Sequence, residues 1–139
     1  MISFNSENTF NIDNEEHLSE WLEQVILSED KKLGEINFVF CNDDYLHKMN
    51  VEFLNHDTLT DIISFDYTVG KIIQGDVFIS TERVADNALD FKVTFEEELH
   101  RVMVHGILHY CGYKDKTEAD ATIMRSKENH YLQLLANIQ

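Results

Sequence analysis

The segment HGILHYCGYKD, residues 105 to 115, contains side chains whose types and spacing could hold a metal ion. His105 and His109 are four residues apart, which on a helix places the two imidazoles one turn from each other on one face. Gly112 stands where helices commonly end in a left-handed conformation, so the chain can turn back. The six residues from His109 to Asp115 give the carboxylate enough reach to return to the same point. The pattern therefore predicts a metal site with His105, His109 and Asp115 as ligands.

Two neutral imidazoles and one carboxylate suit Zn²⁺, and three protein ligands leave one coordination position open for water. A structural zinc site would be closed by a fourth ligand, often a cysteine, but Cys111 points about 200° round the helix from His109. We therefore interpret the site as catalytic, with one zinc ion. Gly106 occupies the position of the glutamate that serves metalloproteases as general base, which disfavours peptide hydrolysis. A metal-bound hydroxide acting on a phosphodiester fits better, because the ion also neutralises the phosphoryl oxygens.

The helix that carries the two histidines is predicted to begin at Thr94, because Thr94-Phe95-Glu96-Glu97 has the spacing of a capping box. At about 100° per residue, the two imidazoles flank an apolar stripe that should face the core. The residues of this stripe are Leu99, Val102, Met103, Gly106 and Tyr110.

Other patterns predict the elements around this helix. Two β-rich runs broken at Val69-Gly70-Lys71 indicate a hairpin within residues 60–80, and Ser80 should cap the next helix, whose apolar side carries Val84, Ala88 and Phe91. Strands are also expected within residues 2–12 and 36–40. Further helices are expected over residues 14–28, after Asn42 or Asp43, and over 118–136 behind a Thr117 cap. This mixture predicts an α+β fold.

The composition is that of a soluble globular domain, expected to be a single domain over residues 1–139, with 43% hydrophobic and 27% charged residues. No apolar run approaches the roughly 20 residues of a membrane span, and the start lacks the features of a signal peptide. Two cysteines are too few for a disulfide framework, which favours a reducing cytoplasm. The net charge of −15 argues against a protein that binds phosphate backbones over its whole surface. It does not exclude binding through a local basic patch or through a metal that attracts the substrate.

Three motifs occur in a fixed order along the chain: TDIISF at residues 60–65, GDVFIS at residues 75–80, and HGILHYCGYKD. They resemble the TDVLSF, GDIxIS and HGxLHLxGYDH motifs of the YbeY family, bacterial endoribonucleases specific for single strands. The resemblance implies an α+β fold in which a small mixed sheet packs against helices, with a metzincin-like central helix that carries two zinc ligands, His105 and His109. It also implies action on RNA at the 3′ end of small-subunit (16S) rRNA, ribosome quality control, and partners on the ribosome.

Asp115 stands where the family usually has a third histidine. An anionic ligand lowers the net charge of the metal site relative to three imidazoles, so a bound water should be less acidic. We therefore expect the activity of this protein to rise to higher pH than that of a three-histidine relative. Parallel pH–rate profiles measure this, and an equal or lower apparent pKa in this protein would contradict it.

A second departure concerns how RNA is held. Leu54 stands where the family commonly has an arginine suited to clamp a phosphate, and Leu59 replaces a proline. Affinity for RNA must then come from the metal, from lysines such as Lys71 and Lys114, or from a partner.

Three alternative functions stay open at this point. A different metal hydrolase, such as a divergent protease, is distinguished by comparing peptide and RNA cleavage. A ribosome-associated assembly factor with a structural metal would retain RNA maturation after His109→Ala. Two histidines and a carboxylate also form the facial triad of non-haem iron oxygenases, which metal analysis distinguishes.

Other polar residues have simpler expectations. Asp61 and Asp76, at strand starts, could orient a metal-bound histidine or serve in turns and caps. Glu98, two turns before the histidines, is expected to be solvated, and His100 is expected to be exposed. Four aromatic residues are expected in the core rather than stacked on bases: Phe4, Phe38, Phe40 and Phe78.

Overall fold

The computed structural model describes residues 1–55 and 60–138, so the Leu59 departure lies outside the described residues. Four strands and five helices occur within these ranges. They are β1 (Ile2–Ser6), α1 (Glu15–Ser28), β2 (Lys32–Cys41), α2 (Asp43–Leu54), β3 (Ile62–Asp66), β4 (Ile72–Ser80), α3 (Thr81–Phe91), α4 (Phe95–Tyr110) and α5 (Glu118–Ile138). The predicted α+β class is confirmed.

The strands form one mixed sheet in the order β1-β2-β4-β3. β2 pairs in parallel with both β1 and β4, while β3 and β4 are antiparallel. The predicted hairpin is therefore confirmed, and Gly70 in its turn has a φ of 59°, which glycine adopts without a steric penalty. The parallel pairs need crossover connections, and α1 and α2 lie within them.

The core lies between the sheet and helices α1, α4 and α5. Helix α1 buries an apolar stripe made of Leu18, Trp21, Leu22, Val25 and Ile26. The indole Nε1 of Trp21 donates to the carbonyl oxygen of Tyr131 at 2.8 Å, so the one polar atom of this large side chain is satisfied. The predicted stripe on α4 is buried as expected. Phe38 and Phe40 lie in the core, and Phe4 and Phe78 pack against it.

Side-chain caps begin three of the helices as predicted. The Ser80 hydroxyl accepts from the Arg83 amide at 3.1 Å, and the Thr94 hydroxyl accepts from the Glu97 amide at 3.1 Å. Thr117 accepts in the same way from Asp120 at 3.0 Å. Asn42 precedes α2, but its side chain accepts a hydrogen bond from Asn8 instead of capping the helix.

His100 and Phe91 do not have the exposure predicted for them. His100 is half-buried, because its ring packs edge-to-face on Trp21 with 6.1 Å between centroids, and burial lowers its pKa. Phe91 was predicted on the apolar side of α3, but its side chain is 59% exposed. It is the last residue of its helix, and the chain turns away at Lys92, which has a φ of 59°. No helix in the described part of the chain is long and apolar enough to cross a membrane.

Candidate metal centre

Helix α4 holds His105 and His109 at the edge of its buried stripe. Because the stripe faces the sheet and α1, the helix cannot rotate, and both imidazoles emerge on one side with exposed fractions of 20% and 32%. Gly106 lies between them on the buried face, where an added Cβ would come within 3.1 Å of Ile62 Cδ1. An added methyl group at this position would require the end of the Ile62 side chain to shift by a few tenths of an ångström.

The segment after α4 returns Asp115 to the two histidines. The Gly112 amide donates to the backbone carbonyl oxygen of His109, and the Tyr113 amide donates to that of Leu108. These two hydrogen bonds close the end of the helix. Gly112 has a φ of 108°, so the predicted left-handed turn is confirmed. Cys111 points into partly buried apolar surroundings, and burial raises the pKa of its thiol to about 11. A protonated, inward-facing thiol is a poor metal ligand.

The three side chains predicted as ligands converge on one point. His105 Nε2 lies 3.0 Å from His109 Nε2 and 3.2 Å from Asp115 Oδ2, and His109 Nε2 lies 3.5 Å from that oxygen. Zinc bonds of about 2.0–2.1 Å in a tetrahedron require donor separations of roughly 3.3 Å. The observed separations lie on both sides of this value. The donor set and its spacing therefore fit a zinc ion held on one side by three protein atoms.

Glu128 on α5 fixes the orientation of His105. Its Oε2 lies 2.7 Å from His105 Nδ1, and its Oε1 accepts from Arg101 Nη1 at 2.9 Å. With the Nδ1 proton donated to Glu128, the Nε2 lone pair faces Asp115 and His109, as metal-binding histidines require. Burial raises the pKa of Glu128, but hydrogen bonds from His105 and Arg101 outweigh burial and lower it overall. His105 shows the matching change, since Glu128 raises its pKa against the effect of burial.

One feature of the sequence points to a buried role for Glu128, although the spacing of the histidines does not. Met124, Glu128, Tyr131 and Leu135 form the buried stripe of α5, so an acidic residue interrupts an apolar face. A glutamate is rarely buried without a partner. That interruption indicates a buried hydrogen-bond partner on a neighbouring helix.

The other acidic residues singled out from the sequence have different places. Glu98 is not solvated as expected but only 5% exposed, and burial followed by the charge of Asp61 raises its pKa. Burial likewise raises the pKa of Asp61, against the opposing charge of His105. Asp76 accepts from Asn37 across the sheet at 3.1 Å, and its carbonyl accepts from the Tyr110 hydroxyl. Asp76 therefore has a role in the sheet.

A cleft of about 280 Å³ opens beside the proposed metal position. It contains His105 and Asp115 and extends between α3, α4 and α5 past the start of β3. Its other polar lining comprises Asp61, Asn87, Glu98, Arg101, Arg125 and Glu128. Lys71, expected to contribute to RNA affinity, lies outside the cleft lining and pairs with Asp30 at 2.8 Å.

A cluster around Glu29 anchors the segment that carries Asp115. Glu29 Oε1 accepts from the Tyr113 hydroxyl at 2.6 Å, and its Oε2 accepts from Lys127 Nζ at 3.2 Å and from the Tyr131 hydroxyl. Tyr113 lies two residues before Asp115, so the end of α1 and helix α5 together hold this turn. The cluster therefore limits the positions that the Asp115 carboxylate can occupy.

Replacing Glu29 by glutamine should destabilise the protein by an amount that depends on pH. Burial raises the pKa of Glu29, but hydrogen bonds from Tyr113, Tyr131 and Lys127 bring it below 4.5. The stabilisation is therefore present above about pH 4.5 and is lost as the pH falls through the lowered folded-state pKa. We expect a cost of about 1–2 kcal/mol at neutral pH, measured by urea unfolding and shrinking in acid. A cost that is the same at both pH values, or a similar loss in the exposed α1 variant Glu23→Gln, would contradict this.

Comparisons with known proteins agree with the fold and with the motifs. The family model described as endoribonuclease YbeY matches residues 2–136. A relative from Flavobacterium johnsoniae named endoribonuclease YbeY is 68% identical over 129 residues, 93% of each chain. One of the same name from Bacteroides fragilis is 45% identical over 114 residues, 82% of each chain. The solution structure of TM1509 from Thermotoga maritima has a TM-score of 0.70 at 27% identity, covering 97% of this chain and 89% of that one.

Proposed function

The chain belongs to the endoribonuclease YbeY family, and from that membership we propose that it cleaves single-stranded RNA with one zinc ion held by His105, His109 and Asp115. The observation that carries the proposal is the convergence of the three donor atoms within 4.8 Å of one another on the edge of a cleft. We further propose that the substrate is precursor rRNA at the 3′ end of 16S rRNA, in maturation and quality control of ribosomes in the cytoplasm.

The residues of the site have separate roles in the proposed reaction. When bound, a zinc ion would supply a Lewis acid that acidifies a coordinated water and neutralises a phosphodiester oxygen. Glu128 holds the His105 ring and its tautomer, and the Glu29 cluster holds the turn that carries Asp115. Gly106 leaves the metalloprotease base position without a carboxylate, so a protease is not proposed.

Asp61 and Glu98 place two carboxyl groups in the lining of the cleft. Burial raises the pKa of both Asp61 and Glu98, so each carboxyl keeps its proton to higher pH than an ordinary one. A protonated carboxyl beside the metal position can donate to the oxygen that leaves when a phosphodiester is cleaved. We assign this role to the Asp61 and Glu98 pair, because the charge of Asp61 raises the pKa of Glu98.

The test of the proposed function combines metal analysis with cleavage. Protein purified without added metal is analysed for zinc and iron, and is then assayed on single-stranded RNA, on duplex RNA and on a peptide. We expect zinc, cleavage of the single strand only, loss of cleavage in EDTA, and recovery with Zn²⁺. Iron as the bound metal, or peptide cleavage without RNA cleavage, would overturn the proposal.

The role in rRNA maturation has a separate test in cells. Loss of the protein should lead to small-subunit rRNA with an extended 3′ end. The net charge of −15 opposes unaided binding to folded RNA, so we propose that ribosomal proteins help to present the substrate. Normal 3′ ends in cells that lack the protein would contradict the rRNA role while leaving ribonuclease activity possible.

A further inference from the structure

Two exposed side chains of the cleft are not among the three converging side chains of the proposed metal site. Arg125 on α5 has a side chain that is 57% exposed, and Phe91 at the end of α3 is 59% exposed. Both line the cleft that contains His105 and Asp115. An extended substrate that lies in this cleft would therefore meet a guanidinium group and an aromatic ring.

Arg125 retains hydrogen-bond donors for a ligand. Its Nη1 lies 3.6 Å from Glu128 Oε1, beyond hydrogen-bond length, and that oxygen already accepts from Arg101 at 2.9 Å. Arg101 is committed to the protein, because its other terminal nitrogen donates to Asn129 at 2.9 Å. Among the described residues, these two arginines are the permanent positive charges of the cleft lining. A planar guanidinium that faces solvent matches the geometry of a phosphate group.

Phe91 is an exposed aromatic ring in the lining of the cleft. Helix α3 ends at this residue, and the left-handed conformation of Lys92 turns the chain away, so the ring does not return to the core. Unpaired bases stack on such rings without regard to sequence, whereas paired bases cannot reach them.

We propose that Arg125 and Phe91 form the subsite for the nucleotide beside the scissile bond, with Arg125 on a phosphate and Phe91 stacked on the base. The inference rests on the proposed function. It names the residues that would make the proposed ribonuclease select single-stranded RNA. The chain as a whole repels RNA at −15, so this local pair of contacts supplies affinity at the place where cleavage occurs.

The two contacts differ in how they respond to salt, and this difference is the test. KM is measured for a short single-stranded oligoribonucleotide with zinc-loaded protein over a series of salt concentrations. Binding of the same oligonucleotide, labelled with fluorescein, is followed by anisotropy in EDTA. Arg125→Gln should raise KM roughly tenfold and reduce the slope of log affinity against log salt by about 0.7, the contribution of one phosphate contact on a single strand.

Phe91→Leu should also raise KM roughly tenfold but leave the salt slope unchanged, because stacking releases no counterions. Phe91→Trp should retain the wild-type KM, since it keeps an aromatic face. The control for charge is Lys32→Gln, which removes one exposed positive charge outside the cleft lining and should change neither KM nor the salt slope. Zinc content should be the same in all variants.

Each outcome has a distinct meaning. Wild-type cleavage with an Arg125→Gln variant of unchanged KM and salt slope overturns the phosphate contact. A Phe91→Leu variant with wild-type KM, or a Phe91→Trp variant as weak as Phe91→Leu, overturns the stacking contact. If the wild-type protein neither binds nor cleaves RNA when loaded with zinc, the proposed function fails and the subsite fails with it.

Discussion

Replacing His109 by alanine is expected to remove stable zinc binding and to lower RNA cleavage roughly a thousandfold or more. The site offers three protein donors, and two would remain, too few for the tetrahedral arrangement that zinc adopts in proteins. A bound metal supplies several kcal/mol of transition-state stabilisation, and each 1.36 kcal/mol is about tenfold in rate. His109 is 32% exposed at the end of α4, so its truncation leaves no large cavity, and the fold should persist. Zinc content, cleavage rate and circular dichroism measure the three effects.

The matched control for this variant is His130→Ala on α5. His130 is exposed and packs its ring on Tyr131, and it is not one of the three converging side chains. It should keep full zinc content and activity. A folded His109→Ala variant that still matures RNA would favour the non-enzymatic assembly factor, in which the metal is structural.

Replacing Glu128 by alanine is expected to weaken zinc binding and to destabilise the fold at the same time. His105 would lose the acceptor that fixes its tautomer, and loss of such a partner typically costs 10–100-fold in metal affinity. Arg101 would lose the carboxylate at 2.9 Å, and breaking a buried charge pair from one side costs about 3–5 kcal/mol. Since the Arg101 side chain is 20% exposed, we expect the free energy of unfolding to fall by about 2–3 kcal/mol. Competition with a chelator and urea unfolding measure the two quantities.

The variant Glu128→Gln separates the two roles of this side chain. Glutamine keeps the shape and can still hydrogen-bond to His105 or Arg101, so most of the stability should remain while zinc affinity falls. Glu118→Gln, an exposed glutamate in the first turn of α5, removes the same charge and should change neither quantity. Zinc affinity in Glu128→Ala equal to that of the wild-type protein would show that His105 is oriented without Glu128.

The proposed ligands were predictable because they are close in sequence. A cap at Thr94, an apolar stripe and a glycine after the helix determine the directions of His105 and His109 and the return of the chain to Asp115. These are periodicities and turn preferences within one short segment, which need no knowledge of the rest of the fold. The β3–β4 hairpin was predictable for the same reason, whereas the parallel pairing of β2 with β1 and β4 joins segments far apart.

The misplaced residues depend on contacts between distant segments. Glu98 was expected in solvent because α4 alone leaves it on a polar side, but it is only 5% exposed in a cleft that residues of α3 and α5 also line. His100 is covered by Trp21 from α1, and the partner of His105 comes from α5, 23 residues later. Helical spacing within one segment carries no information about which neighbour will cover a given face.

The position of Glu128 on α5 has a consequence for the order of events during translation. A nascent chain that has exposed residues 1–117 already holds His105, His109 and Asp115 outside the ribosome, yet it lacks the acceptor for the His105 ring and the helix that packs on α4. Segments near the amino terminus leave the ribosome first, so the ion should be captured weakly at that stage and tightly only once α5 has docked. Tight metal binding by this protein would then mark the docking of α5 on α4.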